Sequence, residues 1–436
     1  MKGKISIFWY RRDLRLDDNV GFYHALQNGD PVLPIFIFDT EILENLPKND
    51  ARVTFFHGQL QKMRDELQNK YNSTIALFKG DVISVFEGLL REYDISSVYT
   101  NHDYEPYAIK RDLKIKSFLS QKGIGFHSFK DQVIFEKNEV VKDDGTPYLV
   151  YTPYKKKWKK KFNPSVHIQE YDTYSHFTKL CQETNFPNIQ LSEIGFEPST
   201  IRVENYKTTP KLIENYEDTR NFPALDEGTS RLGPHLRFGT VSIRKIVKKA
   251  ISEKNEVFWS ELIWREFFMQ ILWHFPNTLN NAFKPKYDRI VWRNDETEFE
   301  LWKMGRTGYA LVDAGMRELN NTGYMHNRVR MVVASFLCKH LLIDWRWGEA
   351  YFAKKLLDFE LASNVGNWQW AAGSGVDAAP YFRVFNPMTQ LAKFDSKGTY
   401  ISKWITDYQE LTYPSKIVDH KIARERCLKA YKEAVG

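Results

Sequence analysis

Val257-Phe-Trp-Ser-Glu-Leu-Ile-Trp-Arg-Glu-Phe-Phe-Met-Gln-Ile-Leu-Trp-His-Phe275 is the stretch that decides how this chain divides. At helical spacing its apolar residues cover more than one face. The stretch therefore predicts a helix buried deep in an all-α domain and ended by Pro276. Within it Glu261, Trp264, Arg265 and Phe268 recur at i, i+3, i+4 and i+7 and share one face. A carboxylate among apolar neighbours needs a partner or a ligand. Two readings are open: a Glu261 to Arg265 surface pair, or polar groups aimed together into one region.

Working outward, residues 5 to about 130 have a different texture. Short β-rich apolar runs, Ile5 to Trp9, Val32 to Phe38, Thr74 to Phe78, Ser97 to Thr100 and Phe126 to Phe129, alternate with amphipathic stretches. In Ala51 to Lys70, for example, Val53, Phe56, Leu60, Met63 and Leu67 line one helical face. Strands separated by helices imply crossovers and a doubly wound parallel sheet. No Gly-x-Gly-x-x-Gly follows the first run, so a standard dinucleotide-binding turn is not indicated there. Residues 131–204 contain Asp143-Asp-Gly-Thr-Pro, Tyr151-Thr-Pro-Tyr, a lysine run and Asn163-Pro, and read as an irregular inter-domain connection. The expected organisation is an α/β domain over 1–130, that connection, and a helical domain over 205–436.

Composition narrows the function classes. The 436 residues are 42% hydrophobic and 27% charged, a globular balance rather than that of a disordered chain. No apolar run approaches the roughly 20 residues of a bilayer-spanning helix, and the N-terminus lacks a cleavage-site pattern. A cytoplasmic protein without a membrane partner is expected. Cys181, Cys338 and Cys427 are far apart and lack a second ligand at metal spacing, which excludes disulfide scaffolds and zinc modules. Aromatic residues reach 15%, and ten of the twelve tryptophans lie at or after Trp259. The 62 Lys and Arg against 55 Asp and Glu leave a net charge of +7. Lys155-Lys-Lys-Trp-Lys-Lys-Lys161 supplies six of those charges, either as a solvated face or as a phosphate-contacting patch.

Three further segments place polar groups where a core prefers apolar ones. In Met325-His-Asn-Arg-Val-Arg-Met331, Asn327 and Met331 lie one turn apart, flanked by Arg328 and Arg330; a capped helix start with solvated arginines is the other reading. Thr229-Ser-Arg-Leu-Gly-Pro-His-Leu-Arg-Phe-Gly239 offers hydroxyls and backbone N–H groups at a helix entry, an anion site or an ordinary cap. Asp358 to Pro387 mixes two tryptophans and three acids with small residues that leave space beside the rings. It lines a cavity for a planar ligand, or it is plain packing.

At this last segment the chain resembles the photolyase and cryptochrome family, most closely the bacterial class I photolyases that repair cyclobutane pyrimidine dimers. The motifs that carry the resemblance are Asn367-Trp-Gln-Trp370, Asp377-Ala-Ala-Pro-Tyr-Phe-Arg-Val-Phe-Asn-Pro387, Glu261-Leu-Ile-Trp-Arg-Glu-Phe267, Thr322-Gly-Tyr-Met-His-Asn-Arg-Val-Arg-Met331 and Arg11-Arg-Asp-Leu-Arg-Leu-Asp-Asp-Asn19. They match in order and spacing over nearly the whole chain.

The resemblance implies an α/β domain followed by a helical domain holding FAD, a carbon–carbon lyase activity driven by light, and UV-damaged DNA containing pyrimidine dimers as partner, bound by a monomer. It places Tyr216, Thr229, Ser230, Arg231, Leu232, Gly233, Arg265, Arg330, Asp358, Glu360 and Asn364 around FAD, with Asn364 facing the flavin N5. It forms the substrate pocket from Glu261, Trp264, Asn327, Met331 and Trp370, and an electron relay from Trp368, Trp345 and Trp292. Arg328 and Arg383 are expected to contact DNA. Tyr324 stands where Trp is commoner and Phe258 where some relatives carry Trp. Tyr107 and Ala108 stand where folate-binding relatives place Asn and Glu, so methenyltetrahydrofolate, a deazaflavin and no antenna all stay open. The alternatives implied are a cryptochrome-type blue-light receptor and a six-four photolyase. The latter would carry His where this chain has Asn327 and Met331.

Overall fold

The computed structural model describes residues 3–436 and resolves two compact units between which the chain passes more than once. The first contains the N-terminal residues through Glu136, Phe162–Asn205 and Leu232–Lys249. Its five strands are β1 (Ile5–Tyr10), β2 (Val32–Asp39), β3 (Ala76–Gly80), β4 (Ile95–Asn101) and β5 (Gly125–Phe129), in the order β3-β2-β1-β4-β5 and all parallel. Every residue of β1 and β2 is buried, as expected for inner strands covered on both faces. The longest helix of this unit, α1 (Ala51–Tyr71), starts on the side chain of Asp50, which accepts the Arg52 N–H. It ends on Asn72 in the left-handed conformation. Val53, Leu60, Met63 and Leu67 are its buried stripe.

The second unit contains Lys137–Lys161, Tyr206–Arg231 and Ala250–Gly436. Its principal helices are α2 (Tyr151–Lys161), α3 (Val257–His274), α4 (Ala310–Thr322), α5 (Asn327–Ser335), α6 (Trp345–Lys355) and α7 (Leu361–Ala372). Helix α3 is buried around most of its circumference, including Glu266 and Gln270.

Two features depart from the expectation drawn from sequence. The stretch 131–204 is not uniformly irregular, because α2 interrupts it. Tyr151, Tyr154 and Trp158 are buried at i, i+3 and i+7, and the Trp158 indole donates to Glu266 of α3 at 2.6 Å. The lysines between these rings hid the amphipathic period. The segment Leu232–Lys249 also joins the sheet-containing unit. The Arg244 guanidinium donates there to Asp18 at 3.0 Å and to Asp131 at 2.9 Å, so a buried charge network holds it.

Small residues of α7 and of the turn that follows it serve close packing. A Cβ at Gly366 would sit 2.2 Å from the Phe268 ring, and one at Gly375 would sit 2.9 Å from Gln369. The space expected beside the rings is filled at these positions. The open side of α7 is the face carrying Asn364, Asn367 and Trp370.

Candidate functional site

Helix α4 ends at Gly323, whose positive φ of 67° closes the turn. A Cβ there would meet Leu357 at 2.7 Å. The chain then re-enters a helix at Asn327, where the His326 imidazole Nδ1 accepts the Arg328 N–H and caps α5. This places Asn327, Arg330 and Met331 on one face. Together with Asp358, Glu360, Asn364 and Trp370 they line a cleft that is partly open to solvent.

The polar groups of the cleft are held from behind. Arg330 donates from Nε to the Met325 carbonyl at 2.7 Å and from Nη2 to Asp358 Oδ2 at 2.9 Å. Asp358 Oδ1 is buried and accepts no hydrogen bond. Arg265 grips Glu360 through Nε at 3.2 Å and Nη2 at 3.2 Å, a two-pronged pair. Asn364 donates from Nδ2 to the Glu349 carboxylate at 2.7 Å and to the Glu349 carbonyl at 3.1 Å, so its Oδ1 is the group left to present. Burial raises the pKa of Glu349, and the Asn364 bond opposes that rise. Glu349 bore no signal in the sequence, because its partner lies a helix away.

Glu261 and Trp264 do not line this cleft. Glu261 does not pair with its helical neighbour Arg265; Arg220 takes it at 2.5 Å, and Arg265 goes to Glu360. Trp264 does not present two free faces. The Tyr151 ring stacks on it at 3.6 Å and 9°, and Phe268 stacks at 5.6 Å. Tyr151 is itself fixed: its hydroxyl donates to the Ser260 carbonyl at 2.6 Å and its N–H donates to Asp377 at 3.1 Å. Arg220 and Tyr151 were both missed at the sequence level, since each meets its partner across more than 40 residues.

Tyr216 packs edge-on against Phe258 at 5.1 Å, with the Arg220 guanidinium 5.5 Å from its ring centroid. Thr229 shares a 3.4 Å hydroxyl contact with Tyr324, and the Arg231 guanidinium lies 3.6 Å over the Tyr324 ring. Ser230 is buried, and its carbonyl accepts the Lys207 N–H. Leu232 and Gly233 fall in the other unit. Leu232 is the N-cap of the short helix Gly233–Arg237, and no side chain caps that helix, contrary to the Ser or Thr cap considered from sequence.

His326 reports on the field around these arginines. Burial, together with Arg231, Arg330, Arg328 and Arg220, pushes its pKa down to about 3, so the imidazole is neutral. Its Nε2 is buried without a partner.

Trp368 is buried and meets Phe352 at 5.0 Å and Trp302 at 6.2 Å. Trp345 is buried one turn before Gly348, where a Cβ would sit 2.1 Å from Trp368. Trp292 is half-buried and meets Tyr431 edge-on at 6.1 Å. Arg383 is exposed, and its carbonyl accepts from the buried Lys339 at 2.9 Å. Arg328 is turned inward, donating to Asn221 at 2.6 Å and lying 4.3 Å over Phe394. In the sheet unit the Tyr107 hydroxyl donates to Asp39 and Ala108 is buried. Neither position supplies the amide and carboxylate a folate antenna would use.

Residues 258–412 match the family model described as the FAD binding domain of DNA photolyase, and residues 6–181 match that described as DNA photolyase. The chain is 35% identical to the deoxyribodipyrimidine photo-lyase of Vibrio cholerae, covering 99% of this chain and 100% of that one. The chain belongs to the DNA photolyase family. Its fold is similar to the crystal structure of a bacterial class III photolyase from Agrobacterium tumefaciens, at a TM-score of 0.89 and 33% identity over 100% of this chain and 98% of that one. It is also similar to a Synechocystis cryptochrome, at a TM-score of 0.83 and 25% identity over 99% of this chain and 100% of that one.

FAD is the cofactor of this photolyase's helical unit. The donor set fits it: two guanidinium groups pinned by carboxylates, an acceptor at Asp358 Oδ1 without a bond, and the Asn364 carbonyl oxygen.

No described helix is long and apolar enough to cross a membrane.

Proposed function

We propose that this protein is a deoxyribodipyrimidine photo-lyase that repairs cyclobutane pyrimidine dimers in UV-damaged DNA, acting as a cytoplasmic monomer. The observation that carries the reading is the single cleft in which Asn327, Met331 and Trp370 meet Arg330, Asp358, Glu360 and Asn364. When bound there, reduced FAD supplies one electron to the dimer on absorbing blue or near-UV light.

The protein's own residues hold and orient. Asp358 presents an acceptor, Arg330 and Arg265 hold the Asp358 and Glu360 carboxylates in place, and Asn364 offers its oxygen to the flavin N5. Tyr216 and the 229–233 segment complete the cofactor surroundings. Trp370 gives a flat wall and Asn327 an amide for the base edges of the dimer, with Met331 filling the space between. Trp264 adds one face, the other being occupied by Tyr151. Glu261, held by Arg220, offers its carboxylate as an acceptor to an N–H edge of the dimer, and the Arg220 guanidinium is the group there that can stabilise negative charge. A damaged, poorly stacked dimer lowers the cost of leaving the duplex. Trp368, Trp345 and Trp292 are the proposed electron route from the surface. Arg383 is the exposed DNA contact, and Arg328 acts from an inward position.

The test is chromatographic product analysis after blue illumination of the reduced holoprotein with two oligonucleotides, one carrying a thymine cyclobutane dimer and one a six-four photoproduct. Loss of the first lesion alone is expected. Loss of only the second would make the protein a six-four photolyase. The likeness to the cryptochrome supports a second reading, a blue-light receptor, which predicts light-driven flavin cycling with neither lesion consumed.

A further inference from the structure

Helix α2 carries six lysines in seven positions, and the structure divides them into two sets. Lys157 pairs with Asp143 at 2.7 Å, Lys159 pairs with Glu256 at 2.5 Å, and Lys161 donates to the Glu139 carbonyl at 2.6 Å. Lys155, Lys156 and Lys160 make no ion pair among the described residues, and Lys156 and Lys160 are exposed.

A positive cluster at a helix C-terminus is partly explained by the helix dipole, which favours Lys159, Lys160 and Lys161 in the last turn. Lys155 and Lys156 lie too early for that. Lysines at 155 and 159, 156 and 160, and 157 and 161 are like charges one turn apart and repel. What compensates within the protein is the opposite face of α2, where Tyr151, Tyr154 and Trp158 are buried. Asp143 and Glu256 offset the charges of Lys157 and Lys159, so the repulsion that remains is that of Lys156 and Lys160 with Lys155 beside them, and a polyanion would relieve it.

The position of the helix names the polyanion. Tyr151, the first residue of α2, is stacked on Trp264, and the Lys155 ammonium lies 5.8 Å from the Tyr151 ring centroid. The cationic face therefore begins beside Trp264 and leads away from it. Lys155 to Lys160 spans about 7 Å of helix axis, roughly two base steps along one strand.

We infer that the outward face of α2, through Lys155, Lys156 and Lys160, is a phosphate-contacting track that binds the DNA backbone flanking the lesion. The inference rests on the DNA-repair reading above. Such contacts position the duplex and carry no lesion recognition. They set affinity and its salt dependence, leaving discrimination to the pocket.

The experiment compares the full-length holoprotein with the triple variant Lys155→Gln, Lys156→Gln, Lys160→Gln on two duplexes of one sequence, with and without a cyclobutane dimer, across 50 to 200 mM salt. The slope of log affinity against log salt should flatten by about 0.9 for each lysine that reaches a phosphate. With all three engaged, the variant loses about 40-fold less affinity over that salt range than the parent. The flattening should be equal on both duplexes, and the repair yield per bound lesion unchanged. The corresponding triple Arg variant should keep the parent slope, which separates charge from a folding defect. A flattening smaller than one lysine's worth, or one confined to the damaged duplex, overturns the inference. If the parent itself fails to prefer the damaged duplex, the repair reading falls instead, whatever the lysines do.

Discussion

Two buried charge networks, one beside the parallel sheet and one in the helical cleft, use the same residue types to opposite ends. Beside the sheet, Asp131 accepts from Arg15 at 2.7 Å, from Arg244 at 2.9 Å and from the Val20 N–H at 3.2 Å. Asp18 accepts from Arg244, Ser242 and the Tyr171 N–H. Burial alone would raise the pKa of Asp131, but the two guanidinium groups hold it below the usual carboxylate range. In the cleft, Asp358 has one oxygen on Arg330 and one with nothing, and Asn364 keeps its oxygen free of the bonds its nitrogen makes. A carboxylate whose oxygens are all used is scaffold. One that keeps an unfilled acceptor beside a cleft is built for a ligand.

The largest expected effect breaks the first network. Asp131→Ala leaves Arg15 and Arg244 buried without their shared partner and should cost about 3–5 kcal/mol of unfolding free energy. Urea titration of the purified protein would show it. A loss under about 1 kcal/mol would mean that water replaces the carboxylate and that the network is not scaffold.

Next comes the electrostatic character of the second region. His326 has a pKa of about 3 in the folded protein, below that of an unfolded histidine near 6.5. Its contribution to stability is therefore fully present above pH 6.5 and is lost as pH falls through 6.5 toward 3. His326→Asn keeps a capping side chain and should flatten the stability curve in that window by about 1.4 kcal/mol per pH unit. Parallel curves for variant and parent would show that burial and the four arginines do not hold the pKa of this imidazole down.

Asp358→Asn sharpens the contrast most directly. Because Asp358 has only one bonded oxygen and Arg330 keeps its bond to the Met325 carbonyl, unfolding of the apoprotein should shift by no more than about 1–1.5 kcal/mol. Flavin retention, read from absorbance after gel filtration, should fall at least about tenfold. A variant that retains full flavin would remove Asp358 from the cofactor site.

The smallest effect is at the cover of Trp264. Tyr151→Phe removes the hydroxyl bond to Ser260 but keeps the stacked ring, and should cost about 1 kcal/mol or less with unchanged affinity for dimer-containing DNA. Tyr151→Ala should in addition weaken lesion binding, measured by fluorescence anisotropy. Equal binding by both variants would show that the stack does not orient Trp264.

Legibility in the sequence followed the range of the interaction. All five strands were readable, with ends moved by at most two residues, because β1 and β2 are near-continuous apolar runs and the others are short β-rich runs between amphipathic stretches. The pairing of Asn327 with Met331 was readable because helical spacing is local, whereas Arg330 was read only as flanking them. The α2 helix was not, since six lysines mask three buried rings. Nor was the choice of ion partners: Glu261 and Arg265 sit one turn apart and still pair elsewhere, with Arg220 and Glu360.

By itself the sequence determined the alternation that makes the parallel sheet, the all-round apolar helix of the second unit, and the motifs that place the chain in its family. Those are properties of neighbours in the chain, set by periodicity and by backbone preference. Only the tertiary structure decided that Phe268 fills the space beside Gly366, that Tyr151 covers one face of Trp264, and that Asp358 keeps an oxygen without a partner. Each depends on which distant segment arrives first at a void or a charge. Close packing and the cost of an unpaired buried group settle that competition, and neither is written in local spacing.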